Sequence, residues 1–231
     1  MARTDYLLRR EAEIVMAALM PANRLAVKVS LHTGLRIGDV LALKTAQLAP
    51  RMTITEAKTG KRRRIGLPAA LLDELRAQAG SVYVFPHRTD ESKHRSRSAV
   101  WKDVKRAAKA FRLPQNVAPH SFRKLYAVEL YKKYGDMITA NLWQLTRGMK
   151  QAEITDYEVW DEEKEEYGTV IIDLDERLTP SANAQRYYKK YTKARNAKVE
   201  LAKQIELGEA ELAYIYTVFD ALTRAETAND L

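Results

Sequence analysis

The sequence predicts a mainly α-helical chain with a small antiparallel β-sheet in its first part, followed by a short β-hairpin and a long helix of coiled-coil type. Three observations predict this. Apolar residues recur at helical spacing over residues 5–33 and 100–111. Two stretches, 51–68 and 151–176, alternate apolar and polar residues around turn signals. The charge changes sign along the chain: residues 1–136 hold 27 Lys and Arg against 12 Asp and Glu, whereas residues 137–231 hold 12 against 18. Local net charges of +15 and −6 within an overall +9 predict two units with different partners, 1–136 and 137–231.

Composition excludes several chemistries. The chain has 231 residues, 46% of them hydrophobic, enough for a sizeable core or a core with an extension. With no cysteine there is no disulfide, thiolate metal site or cysteine nucleophile, and a reducing cytoplasm fits. No apolar run approaches the roughly 20 residues that span a bilayer, and the charged start "MARTDYLLRREAEIVMAAL" is no secretory signal. The basic first unit has the electrostatics of a polyanion-binding protein or of a soluble basic enzyme.

Each element follows in order. Leu7, Leu8, Val15, Ala18 and Leu19 mark one face of a helix over 5–20, and Leu25, Ala26, Val29 and Leu31 mark a face over 22–33. In "HTGLRIGDVLALK" (32–44), Thr33-Gly34 breaks that helix and "IGDVLALK" starts another, with Asp39 near its positive N-terminus. Arg36 lies in the joint, where a guanidinium needs carboxylate or phosphate company, either a structural pair with Asp39 or an external anion. "RMTITEAKTGKRRRIGLP" (51–68) predicts a hairpin, with Gly60 suited to positive φ in the turn and Lys58, Lys61, Arg62, Arg63 and Arg64 clustered about its tip. Those cations either decorate a solvated turn or face a phosphate backbone. "SVYVFP" (81–86) is a candidate third strand. In 92–113, Val100, Val104, Ala107, Ala108 and Phe111 face inward, while Lys102, Lys105, Arg106 and Lys109 spread over the rest, solvated or in contact with phosphates. Pro119 opens a helix whose first turn carries His120 and Arg123, a cationic pair at a positive helix end that an anion would suit.

Together, the T-G-L-R-I-G-D joint, the K-T-G-K hairpin and the P-H-S-x-R helix start resemble the catalytic domain of the tyrosine recombinase (phage integrase) family over roughly residues 5–136. That resemblance implies a tyrosine-recombinase-like catalytic core and a DNA partner. It implies that Arg36 and Arg123 clamp the scissile phosphate, that Lys58 protonates the departing 5′-oxygen, that His120 assists in proton transfer and that Asp39 braces the domain around Arg36. Arginine suits the clamp, because its fork stays charged and can pair with two phosphate oxygens. Neither metal nor nucleotide cofactor is implied, since the cations supply the electrostatics and a phosphotyrosine linkage conserves the energy. Lys61, Arg62, Arg63, Arg64, Lys102, Lys105 and Arg106 are the expected backbone contacts. The separate DNA-encircling domain that family members carry is not expected ahead of residue 5, so the expected binding is weak and salt-sensitive.

After Asp136 the sequence departs from that family. No histidine follows His120, leaving Trp143 or Arg147 to replace the family's second one. Tyr157 falls near the expected position of the nucleophile, but seven carboxylates from Asp156 to Glu166 would repel a scissile phosphate there. The catalytic core is thus expected to lack its usual C-terminal part. Instead, "MITANLWQLTRGM" predicts a helix ending at Gly148, "QAEITDYEVW" and "GTVIIDLDE" predict two short strands, and a long helix starts at Pro180 with Thr179 as cap. Leu212, Ile215, Phe219 and Leu222 step by 3, 4 and 3 as a coiled-coil seam. "GDMITANLWQLTRGMKQAEITDY" and "LDERLTPSANAQRYYKKYTKARNA" resemble the NFACT (fibronectin-binding protein A-like, ribosome quality-control) family from about 132 to 225. The resemblance implies a coiled-coil arm over 180–225 with the large ribosomal subunit, or another coiled-coil element, as its partner. The sequence therefore reads as a chimera joined near residues 131–136, with each resemblance confined to its own side, the alternative being one divergent recombinase with an unusual C-terminus.

Overall fold

The computed structural model describes residues 6–161 and 166–224, with side chains at 6–157, 167–196 and 207–223. The first helix, α1 (Arg9–Ala17), is shorter than its apolar pattern predicts. Leu8 stands just before it, half exposed, and its N–H donates to Glu11 Oε2 at 2.8 Å. That bond satisfies a backbone donor that has no partner within the helix. Pro21 opens α2 (Pro21–Thr33) and holds Met20 extended, which separates the two helices. Gly34 closes α2 in the left-handed conformation (φ 66°), and its N–H donates to Ser30 O at 2.9 Å. One turn, α3 (Ile37–Leu41), follows Arg36.

Strands β1 (Arg51–Thr55) and β2 (Arg62–Gly66) form the expected antiparallel hairpin, pairing Thr53 with Arg64. Met52, Ile54 and Ile65 point inward. A helix absent from the sequence reading, α4 (Ala69–Gln78), buries Leu71, Leu72 and Leu75. Residues 81–86 make isolated bridges, Lys44 with Tyr83 and Pro86 with His94, instead of the expected third strand. Their hydrogen bonds are shared between two segments: Val84 N–H donates to Leu43 O, and Phe85 O accepts from Arg95 N–H. Pro86 has no N–H to continue a ladder.

Helix α5 (Arg97–Ala110) starts on Ser96, whose Oγ accepts from Ala99 N–H at 3.1 Å. It buries Val100, Val104, Ala107 and Ala108, but Phe111 lies past its end and is exposed, contrary to expectation. Helix α6 (Pro119–Ala140) joins the two predicted units in one continuous rod. The helix expected to run to Gly148 ends at Ala140, where Asn141 Nδ2 donates back to Met137 O at 2.8 Å. A 3₁₀ turn (Leu142–Gln144) follows, and Gly148 takes φ 96° in the loop beyond.

The second sheet pairs β3 (Gln151–Asp161) with β4 (Glu166–Asp173), and a register shift lies between Asp156 and Trp160. Helix α7 (Pro180–Arg224) has 45 residues, about 67 Å at 1.5 Å per residue. Thr179 Oγ1 accepts from Ala182 N–H at 3.2 Å, as predicted. The seam residues Leu212, Ile215, Phe219 and Leu222 are all more than half exposed.

The described residues bury two apolar clusters. One gathers α1 to α5, the first hairpin and the start of α6 through Phe122 and Leu125. The other gathers Ile138 of α6, Ala152 and Ile154 of β3, Ile172 of β4, and Ala184 and Tyr187 of α7. Helix α6 thus serves both. Its Gly135 lets the Tyr188 ring lie close enough that a Cβ would stand 2.7 Å from it, and Tyr187 Oη donates to Asp173 O at 2.7 Å. Among the described residues, no helix is long and apolar enough to cross a membrane.

Candidate functional site

Three elements deliver guanidinium groups to one place. Ending α2 at Gly34 puts Arg36 at the head of α3. Pro119 starts α6 so that Arg123 falls in its second turn. Strand β2 supplies Arg63, half-buried on the hairpin's inner side. All three meet the carboxylate of Glu56, which follows β1 and is only 5% exposed. Arg36 Nη1 donates to Glu56 Oε2 at 2.5 Å. Arg63 Nη1 lies 3.5 Å and Arg123 Nη2 4.0 Å from Oε1. Thr59 Oγ1 donates to Oε2 at 2.8 Å, and Arg63 Nη2 donates to Thr33 O at 3.0 Å. Groups that meet on one carboxylate are within reach of one tetrahedral oxyanion, which is larger.

Charge explains the acid–base state. Burial alone would raise the pKa of Glu56. Hydrogen bonds from Arg36 and Thr59, with the charges of Arg36 and Arg123, overcome it and hold the group at about 2. Burial lowers the pKa of Arg123, and the neighbouring Arg36 lowers it further. His120 lies at the rim. Partial desolvation, then Lys124, Arg123, Arg36 and Lys58, push its pKa below 6.5 and favour the neutral imidazole. Arg36, Lys58, His120 and Arg123 therefore share one electrostatic neighbourhood.

Asp39 does not pair with Arg36, the structural alternative read from the sequence. Its Oδ1 accepts from Ala57 N–H at 3.0 Å and ties α3 to the hairpin. Asp39 Oδ2 and Arg123 Nη1 are buried polar atoms without a hydrogen-bond partner among the described residues. The sequence reading missed Glu56 as the partner of Arg36 and left Arg63 among the tip cations. The signal was present: strand alternation puts Glu56 on the inner face with Met52 and Ile54.

The other candidates divide. Lys61, Arg62 and Arg64 are exposed, and Arg62 and Arg64 flank Thr53 on the hairpin's outer face. Lys102 is exposed on α5. Lys105 donates to Asn116 Oδ1 and sits 5.7 Å above the Trp101 ring, while Arg106 pairs with Asp103 at 2.7 Å and donates to Ala18 O. The last two are engaged within the fold. Tyr157 is not brought into the cluster. It lies 72% exposed on the outer face of β3, its ring edge-on to Tyr167. The inward neighbour Asp156 meets Lys133 of α6 at 2.8 Å, about 15 Å along the helix from Arg123. Trp143 lies past the end of α6, whose last residue, Ala140, stands about 25 Å along the axis from Arg123, and is 82% exposed. Among the described residues, no group of three or more His, Asp or Glu has the arrangement of a metal site.

Comparison with known proteins reproduces both resemblances. Residues 6–141 match the Phage integrase family, and residues 74–231 match the NFACT N-terminal and middle domains. A tyrosine recombinase of Thermosipho africanus is 26% identical over 140 residues, covering 56% of this chain and 48% of its own length. The Rqc2 homolog RqcH of Bacillus subtilis is 40% identical over 95 residues, 41% of this chain but only 16% of that protein. The chain thus spans about a sixth of the RqcH length and about half of the recombinase. Among solved structures, a lambda integrase dimer bound to a COC′ core site superposes with a TM-score of 0.50 at 24% identity, over 58% of this chain and 42% of that one. It shares the fold of the tyrosine recombinase catalytic core. The two family matches overlap across 74–141 instead of meeting at 131–136, so the NFACT similarity reaches back across the expected joint. The chain belongs to the phage integrase family through residues 6–141 and to the NFACT family through residues 74–231.

Proposed function

We propose that residues 1–136 form a DNA-binding domain of tyrosine recombinase type, in which Arg36, Lys58, His120 and Arg123 grip a backbone phosphate and Asp39 braces the joint. The observation that carries this is the meeting of Arg36 and Arg123, distant in sequence, on the two oxygens of one buried carboxylate. Bidentate guanidinium contacts would hold the non-bridging oxygens. Lys58, on the exposed turn, would stand toward the leaving 5′-oxygen. Lys61, Arg62, Arg64 and Lys102 would follow the flanking backbone. Strand cleavage through a phosphotyrosine is incomplete in this reading, because the segment that would supply the nucleophile is replaced. The test is covalent trapping on nicked duplex DNA together with equilibrium binding. Salt-sensitive binding without an adduct is expected. An adduct that Tyr157→Phe abolishes would restore full strand transfer, and absence of binding at low salt would remove the DNA reading.

Residues 137–231 support a second reading, a ribosome-associated arm. Its support is the RqcH similarity and the exposed apolar stripe of α7, which would form one strand of a coiled coil. Co-sedimentation with large ribosomal subunits tests it, and absence from that fraction with α7 folded would count against it. On both readings together the chain is a chimera whose junction lies within α6.

A further inference from the structure

The DNA reading uses cations, yet the most enclosed group of the cluster is an anion. Glu56 sits at the hairpin end with its backbone locked: its N–H donates to Lys61 O at 2.9 Å, and its own O accepts from Gly60 N–H at 2.8 Å. Its side chain is therefore fixed from below by the turn and from the side by Thr59. Around it stand arginines from the α2–α3 joint, from β2 and from α6. These guanidiniums repel one another at close range, and burial strengthens the repulsion. Without a central anion they would swing apart toward solvent.

We propose that Glu56 is the positioning residue of this pocket, the resident anion around which Arg36, Arg63 and Arg123 are assembled so that each keeps N–H donors for a phosphate. Arg63 thereby becomes a third phosphate-facing arginine, set by Glu56 on one side and Thr33 O on the other. Each guanidinium has five N–H donors. Arg36 engages Glu56 through Nη1, and Arg123 approaches it through Nη2 while its Nη1 is buried with no hydrogen-bond partner among the described residues. A phosphate arriving beside Glu56, without displacing it, meets donors already aligned.

The inference rests on the DNA reading only for the identity of the ligand, and its test separates the two. Thermal unfolding of the full chain is followed in chloride and in sulfate at matched ionic strength, for wild type, Glu56→Gln and Glu56→Gln/Arg63→Gln, alongside binding of a double-stranded oligonucleotide. Glu56→Gln is expected to melt lower than wild type in chloride and to be raised less by sulfate, because the donors that would receive a tetrahedral anion are no longer aligned. The double variant, with one repelling charge fewer, is expected to regain part of the melting temperature. Glu56→Gln is expected to bind DNA about ten-fold or more weakly, since alignment of charge-assisted donors is lost. Tighter DNA binding by Glu56→Gln would overturn the proposal, making Glu56 an occupant that phosphate displaces. Equal sulfate stabilisation of wild type and variant would also overturn it. If wild type binds no DNA, the DNA reading falls, and the sulfate comparison alone still decides the role of Glu56. Should Glu56→Gln not fold in chloride, folding recovered by the second substitution supports the proposal, and no recovery overturns it.

Discussion

Replacing Gly34 by alanine should damage both the fold and the site. Gly34 stands two residues before Arg36 at φ 66°, and a Cβ there would lie 2.3 Å from two ring atoms of Tyr126. Tyr126 stands three residues after Arg123 on α6. This one contact therefore sets the spacing of the two elements that carry the paired arginines. Left-handed backbone costs a non-glycine residue about 1–2 kcal/mol, and forcing a ring out of packed surroundings costs about 1–3 kcal/mol. The sum is about 2–5 kcal/mol. For a chain of this size it lowers the melting temperature by about 4–20 °C. Thermal unfolding of Gly34→Ala measures the loss. Measured against Tyr126→Ala alone, Gly34→Ala/Tyr126→Ala should lose only the backbone part, the packing part being recovered. DNA affinity of the folded fraction should fall, because Arg36 and Arg123 move apart. A Gly34→Ala chain that melts within about 1 °C of wild type, or a double variant that recovers nothing, would refute the reasoning.

Asp103 is buried and accepts from Met20 N–H at 2.9 Å and Asn23 Nδ2 at 2.7 Å, as well as pairing with Arg106. Asp103→Ala leaves two donors unpaired and should cost at least about 2 kcal/mol in denaturant unfolding. Glu56 has a folded pKa of about 2 against an ordinary 4.5, so its contribution is complete above 4.5 and is lost as pH falls through about 2. The acid-unfolding curve of Glu56→Gln should lack that component. His120 has its pKa lowered below 6.5, so the folded chain binds fewer protons than the unfolded chain there, and His120 subtracts stability as pH falls below 6.5. A bound phosphate favours the imidazolium. DNA affinity should therefore strengthen from pH 7 to 5.5 in wild type and stay flatter in His120→Gln, measured by fluorescence anisotropy at constant salt.

Helices α1, α2 and α5 were legible because their apolar faces are periodic, and Gly34 and Pro119 marked the end of α2 and the start of α6, whereas α4 was missed. The long α7 was legible from Thr179-Pro180 and an unbroken helical composition. Residues 81–86 were not, because a β-rich string says nothing about whether a neighbouring strand exists to pair with it. The end of α6 was misplaced because "MITANLWQL" keeps an apolar pattern past the point where Asn141 folds back on Met137. At the site, the cations were legible as residue types in recognisable joints, but their partner was not. Sequence proximity pointed to Asp39, three residues from Arg36. Folding delivered Glu56, twenty residues away, because the hairpin returns over the α2–α3 joint. Strand alternation could have placed Glu56 inward, yet only the tertiary arrangement brings Arg63 and Arg123 to the same carboxylate.

The central claim is that Arg123 and its neighbours grip a DNA phosphate. It is tested most directly by the salt dependence of duplex binding in wild type and Arg123→Gln, with thermal unfolding to verify that the variant is folded. Arg123 makes the longest of the three contacts with Glu56, so its removal disturbs the cluster least. The account predicts weaker binding by the variant and a plot of log affinity against log salt that is shallower by about 1, the signature of one lost phosphate contact. A folded variant with unchanged affinity and unchanged slope would contradict it.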